Sequence, residues 1–351
     1  WQVAHGSSYW RNGPCLNNAI SGCDMALWDI TAKEAGLPMY RLLGGKCREG
    51  AAVYRHADGR DPVEVEDNVR KYLAKGYQYI RCQMGGYGGA AVVDPMSIND
   101  DAKTARRAPG QRWLSSPEGS QYGAYFDALA YYRGTIALFD HIRSTVGPEV
   151  ELLHDVHERL TPIDAVRLAK NLEPYRPFFL EDALPPEQVD WFRHIRSHAA
   201  VPLAMGELFN NPMEWTQLID ERLIDFIRVH ISQIGGLTPA RKLAALCEAH
   251  GIRTAWHGPG DVSPVGHACN VHLDLATANF GIQEWCGIDE NPQLNEVFSG
   301  IPRVRNGFAY VEDKPGFGVD IDEEKAGKYP CSDELPGWTL TRLPDGTAVR
   351  P

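Results

Sequence analysis

The chain has 351 residues, 43% of them hydrophobic and 23% charged, so it is too long for one small domain and can bury a sizeable core. Its 35 Lys and Arg against 46 Asp and Glu give a net charge of −11, which argues against non-specific nucleic-acid binding. No apolar run reaches about 18 residues, which argues against a membrane span, and eight scattered Cys without a C-x-x-C pair indicate reduced thiols in the cytoplasm.

The N-terminal part is predicted to be helical. The chain opens on Trp1 without a signal-peptide pattern, and we expect a further N-terminal segment to be absent from this sequence. Residues 16–35 are predicted to form an amphipathic helix that ends before Gly36. Apolar residues recur along it at steps of three and four, which places them on one face: Ile20, Cys23, Leu27 and Ile30.

Eight short apolar runs follow, with helical patterns between most of them. The runs are 53–56, 79–83, 150–155, 178–182, 202–207, 226–231, 253–257 and 281–285. Two of the helical patterns, 161–172 and 238–250, contain Thr-Pro at the predicted start, as an N-cap followed by Pro. The alternation predicts an α/β fold, a (β/α)₈ barrel of the TIM type. A doubly wound open sheet is the alternative, but no G-x-G-x-x-G motif follows the first strand.

The connection between the second and third strands, residues 85–127, is unusually long. It is followed by a predicted helix over 128–146. A loop of this length is either a functional lid or a disordered excursion, and both alternatives stay open. Its possible site residues are Tyr122, Tyr125, Arg106, Arg107 and Arg112.

The predicted organisation has three parts. Residues 1–50 are the remainder of an N-terminal capping domain, and residues 51–290 form the barrel with its long loop. Residues 291–351 are polar and rich in turns, and we expect them to return to the smaller capping domain.

Three acidic residues stand at the carboxyl ends of consecutive predicted strands: Asp155, Glu181 and Glu207. They are 26 residues apart, the length of one βα unit, so they should meet at the rim where barrel active sites lie. Clustered carboxylates need a hard dication, and Mg²⁺ is the natural one. Asp182 should point to the opposite face of its strand from Glu181.

Other predicted strand ends also carry ionisable side chains. They are His56, His157, Arg228, His257, Asp261 and Glu284. Any one of them alone is more often structural than functional. Together with a dication, they suit abstraction of a proton beside a carboxylate, with the metal stabilising the resulting enediolate.

These residues lie in motifs that resemble the enolase superfamily, in its mannonate dehydratase branch of acid-sugar dehydratases. The motifs are CDMALWDI, VYRHADG, LLHDVHER, FLEDALPP, GELFN, DFIRVHISQIGG, HGPGD, GIQEW and PGFGVDID, and the resemblance runs over residues 9–345. It also extends to the D-galactonate dehydratase family members and the starvation-sensing group. It implies a barrel with a capping domain built from both chain ends, and a homo-oligomer.

The resemblance also implies roles for individual residues. Asp155, Glu181 and Glu207 would bind Mg²⁺, and His157 would donate a proton to the departing 3-hydroxyl group. The α-proton would be removed by a tyrosine of the long loop, Tyr125 or Tyr122, helped by an arginine. The sugar acid would contact His56, Arg228, His257, Asp261 and Glu284.

Three departures narrow the expected activity. Arg81-Cys82-Gln83 replaces the Lys-x-Lys pair of other branches, and Arg228 replaces part of the His–Asp dyad of racemases. Pro259 stands where efficient mannonate dehydratases tend to have Ala.

The expectation is dehydration of D-mannonate, D-gluconate or a related aldonate to a 2-keto-3-deoxy sugar acid, with low activity on mannonate. The alternative is a metal-binding barrel that acts as a sensor or regulator. The expected partner is a small sugar acid, with no nucleic acid and no membrane.

Overall fold

The computed structural model describes residues 1–85, 92–93, 125–331, 343 and 347–349. The chain forms two compact units. The first unit comprises Trp1–Arg55 and Ala204–Ser332, and the second unit comprises His56–Leu203 and Asp333–Pro351. No helix among the described residues is long and apolar enough to cross a membrane.

The helices and strands of the described residues are as follows. The α-helices are α1 Gln2–Ser7, α2 Pro14–Glu34, α3 Met39–Leu42, α4 Pro62–Ala74, α5 Ala128–Thr145, α6 Pro162–Leu172, α7 Phe192–His198, α8 Pro212–Asp220, α9 Leu237–His250, α10 Pro264–Ala276, α11 Pro292–Val297 and α12 Glu323–Ala326. Short 3₁₀ turns cover Glu173–Tyr175, Pro186–Trp191 and Ile288–Glu290. The strands are β1 Ala51–Gly59, β2 Tyr79–Met84, β3 Val92–Val93, β4 Tyr125–Phe126, β5 Glu151–Asp155, β6 Phe179–Glu181, β7 Leu203–Met205, β8 Phe226–Ile227, β9 Arg253–Thr254, β10 Gln283–Glu284, β11 Phe298–Ser299, β12 Arg303–Arg305, β13 Phe308–Tyr310 and β14 Asp320–Ile321.

In the second unit, β2, β5 and β6 form consecutive parallel pairs. Tyr79 is opposite Glu151 at one end of the β2–β5 pair, and Asp155 is opposite Glu181 at the far end of the β5–β6 pair. Helices α4 and α5 pack on β2 and on each other, and α6 packs on α5. The strands are buried along most of their length because both faces of a parallel sheet are covered.

In the first unit, β7, β8 and β9 form a second series of parallel pairs, and β1 pairs in parallel with β10. An isolated parallel bridge between Thr254 and Phe280 joins β9 to the chain that leads into β10. The hairpin β12–β13 adds antiparallel strands along β1. The carboxyl ends of β8, β9 and β10 therefore lie within one unit.

Each of the eight predicted strands has a counterpart in the structure, although several ends were predicted wrongly. β8 and β9 stop after two residues, yet the chain stays extended, since the Arg228 amide donates to Met205 and the His257 amide to Val229. β1 does not end at His56 but continues to Gly59, whose carbonyl accepts from Gly85. His56 therefore lies inside its strand, not at its end.

The predicted apolar face of α2 is buried at Ile20 but not at its other three residues. Leu27 is 60% exposed and Ile30 is 52% exposed, whereas Asn17 and Asp24 are buried. The Asn17 side-chain amide donates to the carbonyl of Asn210 at 2.8 Å and to that of Gln233 at 2.7 Å. Polar side chains are buried on this helix because distant backbone groups satisfy their hydrogen bonds.

The two Thr-Pro helix starts have different outcomes. Thr161 caps α6 as predicted, with Pro162 at the first helical position. Thr238 does not cap α9, which begins one residue earlier, after Gly236. The Asp24 carboxylate instead accepts hydrogen bonds from the Thr238 amide at 2.9 Å and from its hydroxyl at 2.6 Å. A carboxylate from α2 thus performs the capping of α9.

Within the first unit, the C-terminal segment 313–317 packs on the N-terminal helices. Pro38 forms a parallel bridge with Gly316, and the Phe317 amide donates to Asp29 at 2.8 Å. The Tyr40 hydroxyl donates to Asp313 at 2.8 Å. The C-terminal segment therefore contacts α2 and α3, while the three predicted domain boundaries stay predictions.

Candidate active site

Two of the predicted metal ligands stand side by side in the second unit. Asp155 and Glu181 are the last residues of β5 and β6 and are direct partners in the parallel register. Their exposed fractions are 1% and 0%. Because neighbouring parallel strands end at the same edge, both carboxylates belong to one rim.

Both oxygens of the Asp155 carboxylate have partners in the second unit. Oδ2 lies 3.2 Å from Nη1 of Arg81, and Oδ1 accepts the backbone N–H of His157 at 2.7 Å. The other end of the Arg81 guanidinium approaches Asp58, with Nη2 3.6 Å from Oδ1. These contacts fix the orientation of the Asp155 carboxylate, as outer groups do for metal ligands.

His157 lies two residues beyond the end of β5, in a turn. His157 has φ 52° and Glu158 has φ 61°, so both residues adopt the left-handed conformation that side chains other than glycine rarely take. The Glu158 amide donates to the Asp182 carbonyl at 2.9 Å. This tight turn holds His157, which is partly exposed, next to Asp155.

The prediction that Asp182 points away from Glu181 was wrong. Asp182 follows the last residue of β6 and has φ 38°, so the alternation of a strand does not apply to it. A carboxylate oxygen of Asp182 lies within 4.8 Å of one of Glu181, and Asp182 is buried. Asp182 is thus a third buried carboxylate beside Asp155 and Glu181.

A neutral hydrogen-bonded layer lies next to these carboxylates. The Tyr131 hydroxyl is 2.8 Å from Nε2 of His154, and Nδ1 of His154 is 2.8 Å from the Cys82 carbonyl. Burial lowers the pKa of His154 to about 4, and burial together with the charge of Asp155 raises the pKa of Tyr131. A neutral His154 donates from Nδ1 to Cys82 and accepts from Tyr131, so both ring nitrogens are satisfied.

In the first unit, four predicted site residues form a cluster, which we call the Arg228 cluster: Glu207, Arg228, His257 and Glu284. Nη2 of Arg228 lies 3.2 Å from Oε2 of Glu207, and Nη1 lies 3.1 Å from Oε2 of Glu284. Nε2 of His257 is 3.3 Å from Oε2 of Glu207. One buried guanidinium therefore orients two carboxylates at the ends of β7 and β10.

Two glycines allow the backbone to approach this cluster closely. Gly206, just before Glu207, has φ 137°, and a Cβ there would lie 3.0 Å from the Phe209 ring. The Gly258 amide donates to Oε2 of Glu284 at 2.8 Å, and a Cβ at Gly258 would lie 2.7 Å from the Glu284 carbonyl. Both positions therefore require glycine.

Pro259 and Asp261 lie in the turn before α10. The Pro259 carbonyl accepts from the Val262 amide at 3.2 Å and lies 3.3 Å from Nε2 of His267. Burial lowers the pKa of His267 to about 4, so a neutral His267 can donate to Pro259 from Nε2. The turn is thus held from both sides, and Asp261 stands exposed within it.

The sequence reasoning missed His230. Its ring centroid is 5.3 Å from that of His257, and the residue is only 8% exposed. Burial lowers the pKa of His230, and the charges of Asp261 and Glu284 oppose this effect. The sequence does contain a signal for His230. Position 230 follows Arg228 by two residues in an extended segment, so the two side chains share one face of that segment.

The remaining predicted site residues are described by their burial or backbone pairing, or lie outside the described residues. His56 is half-buried in the part of β1 that belongs to the second unit. The backbone of Tyr125 pairs with Val93 in β4. Tyr122, Arg106, Arg107 and Arg112 lie outside the described residues.

The carboxylates of the second unit suit a hard dication. Asp155, Glu181 and Asp182 offer only oxygen donors and are buried, while Arg81 supplies one positive charge to Asp155. Burying several ionised carboxylates costs several kcal/mol each unless cations compensate them. Oxygen-only donors with excess negative charge are the ligands that Mg²⁺ prefers.

Comparison with known proteins gives consistent matches over the chain. The family model for the enolase C-terminal domain-like family matches residues 64–325, and that for the mandelate racemase / muconate lactonizing enzyme N-terminal domain matches residues 1–44. A D-galactonate dehydratase family member of Salmonella enteritidis is 55% identical over 351 residues, which is 100% of this chain and 83% of the relative. A D-mannonate dehydratase of a Caulobacter species is 42% identical over 348 residues, covering 99% of this chain and 82% of the relative.

A solved structure agrees with these relatives. The crystal structure of an enolase from Pantoea ananatis with bound D-gluconate and Mg superimposes with a TM-score of 0.93 at 55% identity, covering 100% of this chain and 83% of that one. The match confirms the predicted fold class, α/β with a mostly parallel sheet and a TIM-barrel-like C-terminal domain. From the family models, the relatives and this structure together, the chain belongs to the enolase superfamily.

Proposed function

We propose that this protein is a hydro-lyase that dehydrates a sugar acid to a 2-keto-3-deoxy sugar acid with Mg²⁺ as cofactor. The main support is the register of β5 and β6, which places the buried carboxylates of Asp155 and Glu181 side by side at the strand ends. The dehydratase names of the relatives and the D-gluconate and Mg in the Pantoea structure support the same reaction.

The proposed Mg²⁺ ligands are Asp155, Glu181 and Glu207. A bound Mg²⁺ would supply Lewis-acid stabilisation of the negative charge that develops beside the substrate carboxylate. Arg81 and the His157 amide orient Asp155, while Arg228 and His257 orient Glu207. These contacts hold the carboxylates of Asp155 and Glu207 in fixed orientations, each within its own unit.

The proposed chemistry is loss of water across the second and third carbons of the sugar acid. A base removes the proton on the carbon beside the carboxylate, and the 3-hydroxyl leaves as water after taking a proton from His157. The resulting enol then becomes the 2-keto group. His157 is proposed for this role because its turn holds it beside Asp155. The base stays proposed as Tyr125 or Tyr122.

The proposed substrate contacts are His56, Arg228, His257, Asp261 and Glu284. In the first unit, the His257 ring and the carboxylate of Glu284 offer donors and acceptors that suit the hydroxyl groups of a polyol chain. Arg228 is buried between Glu207 and Glu284, so it chiefly positions those carboxylates.

D-Gluconate, D-mannonate and related aldonates are the proposed substrates, with low activity on D-mannonate. Pro259 supports the low activity because proline offers no backbone donor and its carbonyl is already held by Val262 and His267. A cytoplasmic homo-oligomer stays a prediction alongside this proposal.

The test is a screen of aldonates with Mg²⁺ for the 2-keto-3-deoxy product. The wild type should convert at least one of them. The kcat/KM of an Asp155→Asn variant should be lower than that of the wild type by about 100-fold or more. An Asp164→Asn variant is the matched control because Asp164 is partly exposed in the first turn of α6. Turnover that survives in Asp155→Asn would contradict the metal assignment.

The second candidate, a sensor or regulator with vestigial catalysis, rests on Pro259 in the constrained turn. It predicts that an aldonate with Mg²⁺ raises the melting temperature while no product forms. Binding with product formation would instead support the dehydratase.

A further inference from the structure

His230 occupies a fixed position beside the Arg228 cluster in the first unit. Its carbonyl accepts hydrogen bonds from the Gln233 amide at 3.0 Å and the Ile234 amide at 3.3 Å, which anchors the backbone in a tight turn. Its ring contacts His257 edge-on, with an interplanar angle of 64°. The side chain therefore has little freedom to move away from the cluster.

The hydrogen bonding of the ring defines its tautomer. The Ser232 amide donates to Nδ1 of His230 at 3.2 Å, so Nδ1 must carry a lone pair. In a neutral imidazole the proton then resides on Nε2. Burial lowers the pKa of His230, which favours this neutral form. Within the described part of the chain, the bond from Ser232 is the hydrogen bond that this ring makes.

The N–H on Nε2 is a donor that needs an acceptor once a bound ligand covers the ring. A donor left unsatisfied after burial is unfavourable, so such a group is usually paired with a ligand, with water or with protein. The charged groups that act on His230 are Asp261, Glu284 and Arg228. His257, whose ring contacts that of His230, is proposed to contact the sugar acid, so a ligand bound at His257 lies beside His230.

We propose that His230 is a substrate-binding residue whose Nε2–H donates a hydrogen bond to an oxygen of the polyhydroxy carboxylate, an assignment that rests on the proposed function. The residue acts as a donor and not as a proton source, because a neutral imidazole holds its remaining proton firmly. A fixed neutral imidazole can still polarise an oxygen atom, as neutral histidines do in other enzymes. The ligand class is a hydroxylated acid whose oxygen atoms accept this bond.

The test compares His230→Leu, which removes the donor, with His230→Gln, which keeps a neutral N–H at similar reach. D-Gluconate binding in the presence of Mg²⁺ is measured by calorimetry. His230→Leu should weaken binding about 10-fold, matching the loss of one hydrogen bond, and His230→Gln should stay within about threefold of the wild type. Mg²⁺ binding without sugar acid should be unchanged in both variants. His198→Leu, at an exposed histidine on α7, is the control.

A second measurement does not depend on the sugar acid. Nitrogen-15 NMR of the histidine rings should show His230 neutral with its proton on Nε2, and a proton on Nδ1 would overturn the assignment even if His230→Leu fails to fold. If His230→Leu binds D-gluconate as tightly as the wild type does, the role of His230 is refuted and the proposed function is not affected. Absence of both binding and turnover in the wild type across the aldonate set would defeat the proposed function, and the His230 assignment with it.

Discussion

The Arg81 guanidinium and the Asp155 carboxylate form a buried ion pair, with Nη1 3.2 Å from Oδ2 and side-chain exposures of 4% and 1%. Arg81 stands on β2 where other branches of the superfamily are expected to carry Lys-x-Lys. Its contact with Asp155 makes it a positioning residue for a proposed metal ligand, since its charge is already paired.

Arg81→Met should destabilise the protein strongly. Removing one partner of a buried ion pair leaves an uncompensated carboxylate and costs about 3–5 kcal/mol. Urea unfolding at pH 7 measures the change in the free energy of unfolding. Arg167→Met is the matched control, because Arg167 also lies 3.2 Å from its partner Asp164 but is 64% exposed. The control should change stability by about 1 kcal/mol or less, and an equal loss in both variants would contradict this account.

His157→Gln should reduce catalysis while sparing binding. If His157 donates the proton to the leaving hydroxyl, its loss should lower kcat by about 10²–10⁴-fold. The dissociation constant of the sugar acid with Mg²⁺ should change by less than about threefold, because the His157 amide still holds Asp155. Steady-state kinetics and calorimetry test the two statements, with His194→Gln on α7 as control. A kcat close to that of the wild type would exclude His157 as the acid.

Asp24→Ala should destabilise the first unit. Asp24 caps α9 from α2 by accepting two hydrogen bonds from Thr238, and loss of a cap typically costs about 1 kcal/mol. Thermal and urea unfolding measure the effect. Asp67→Ala on α4 removes an exposed carboxylate and should stay within about 0.5 kcal/mol of the wild type. Equal stability of both variants would show that the Thr238 contacts contribute nothing.

His272 should make stability depend on pH. Burial lowers the pKa of His272 from 6.5 to about 4, and its ring lies between the Tyr40 amide and the Phe317 carbonyl. Below pH 6.5 the unfolded chain binds a proton that the folded chain takes up only near pH 4. The contribution of His272 to the free energy of unfolding is therefore complete above pH 6.5 and is lost as the pH falls towards 4.

The free energy of unfolding, measured by urea between pH 7 and 5, should fall less steeply in His272→Gln than in the wild type. The difference in slope should approach about 1.4 kcal/mol per pH unit, the value for one proton. His198→Gln, which removes an exposed histidine, should leave the wild-type slope in place. Identical slopes in His272→Gln and the wild type would refute the assignment.

The sequence by itself determined the alternation of strands and helices and the positions of the acidic strand ends. Apolar runs reveal buried parallel strands because both faces of such strands are covered, and this pattern is local. The spacing of Asp155 and Glu181 along the chain, which is the length of one βα unit, placed them at the ends of neighbouring strands. In the structure the two residues are direct partners in the register of β5 and β6.

Only the tertiary structure decided which side chains are paired and where alternation stops. Asn17 is buried on α2 because carbonyls about two hundred residues away accept its hydrogen bonds. Asp182 turns towards Glu181 because its left-handed φ breaks the strand pattern. His230 acquires its tautomer from the Ser232 amide and its neighbour His257 from another strand end. Such pairings depend on the folded path of the chain, whereas hydrophobic periodicity depends only on neighbours in sequence.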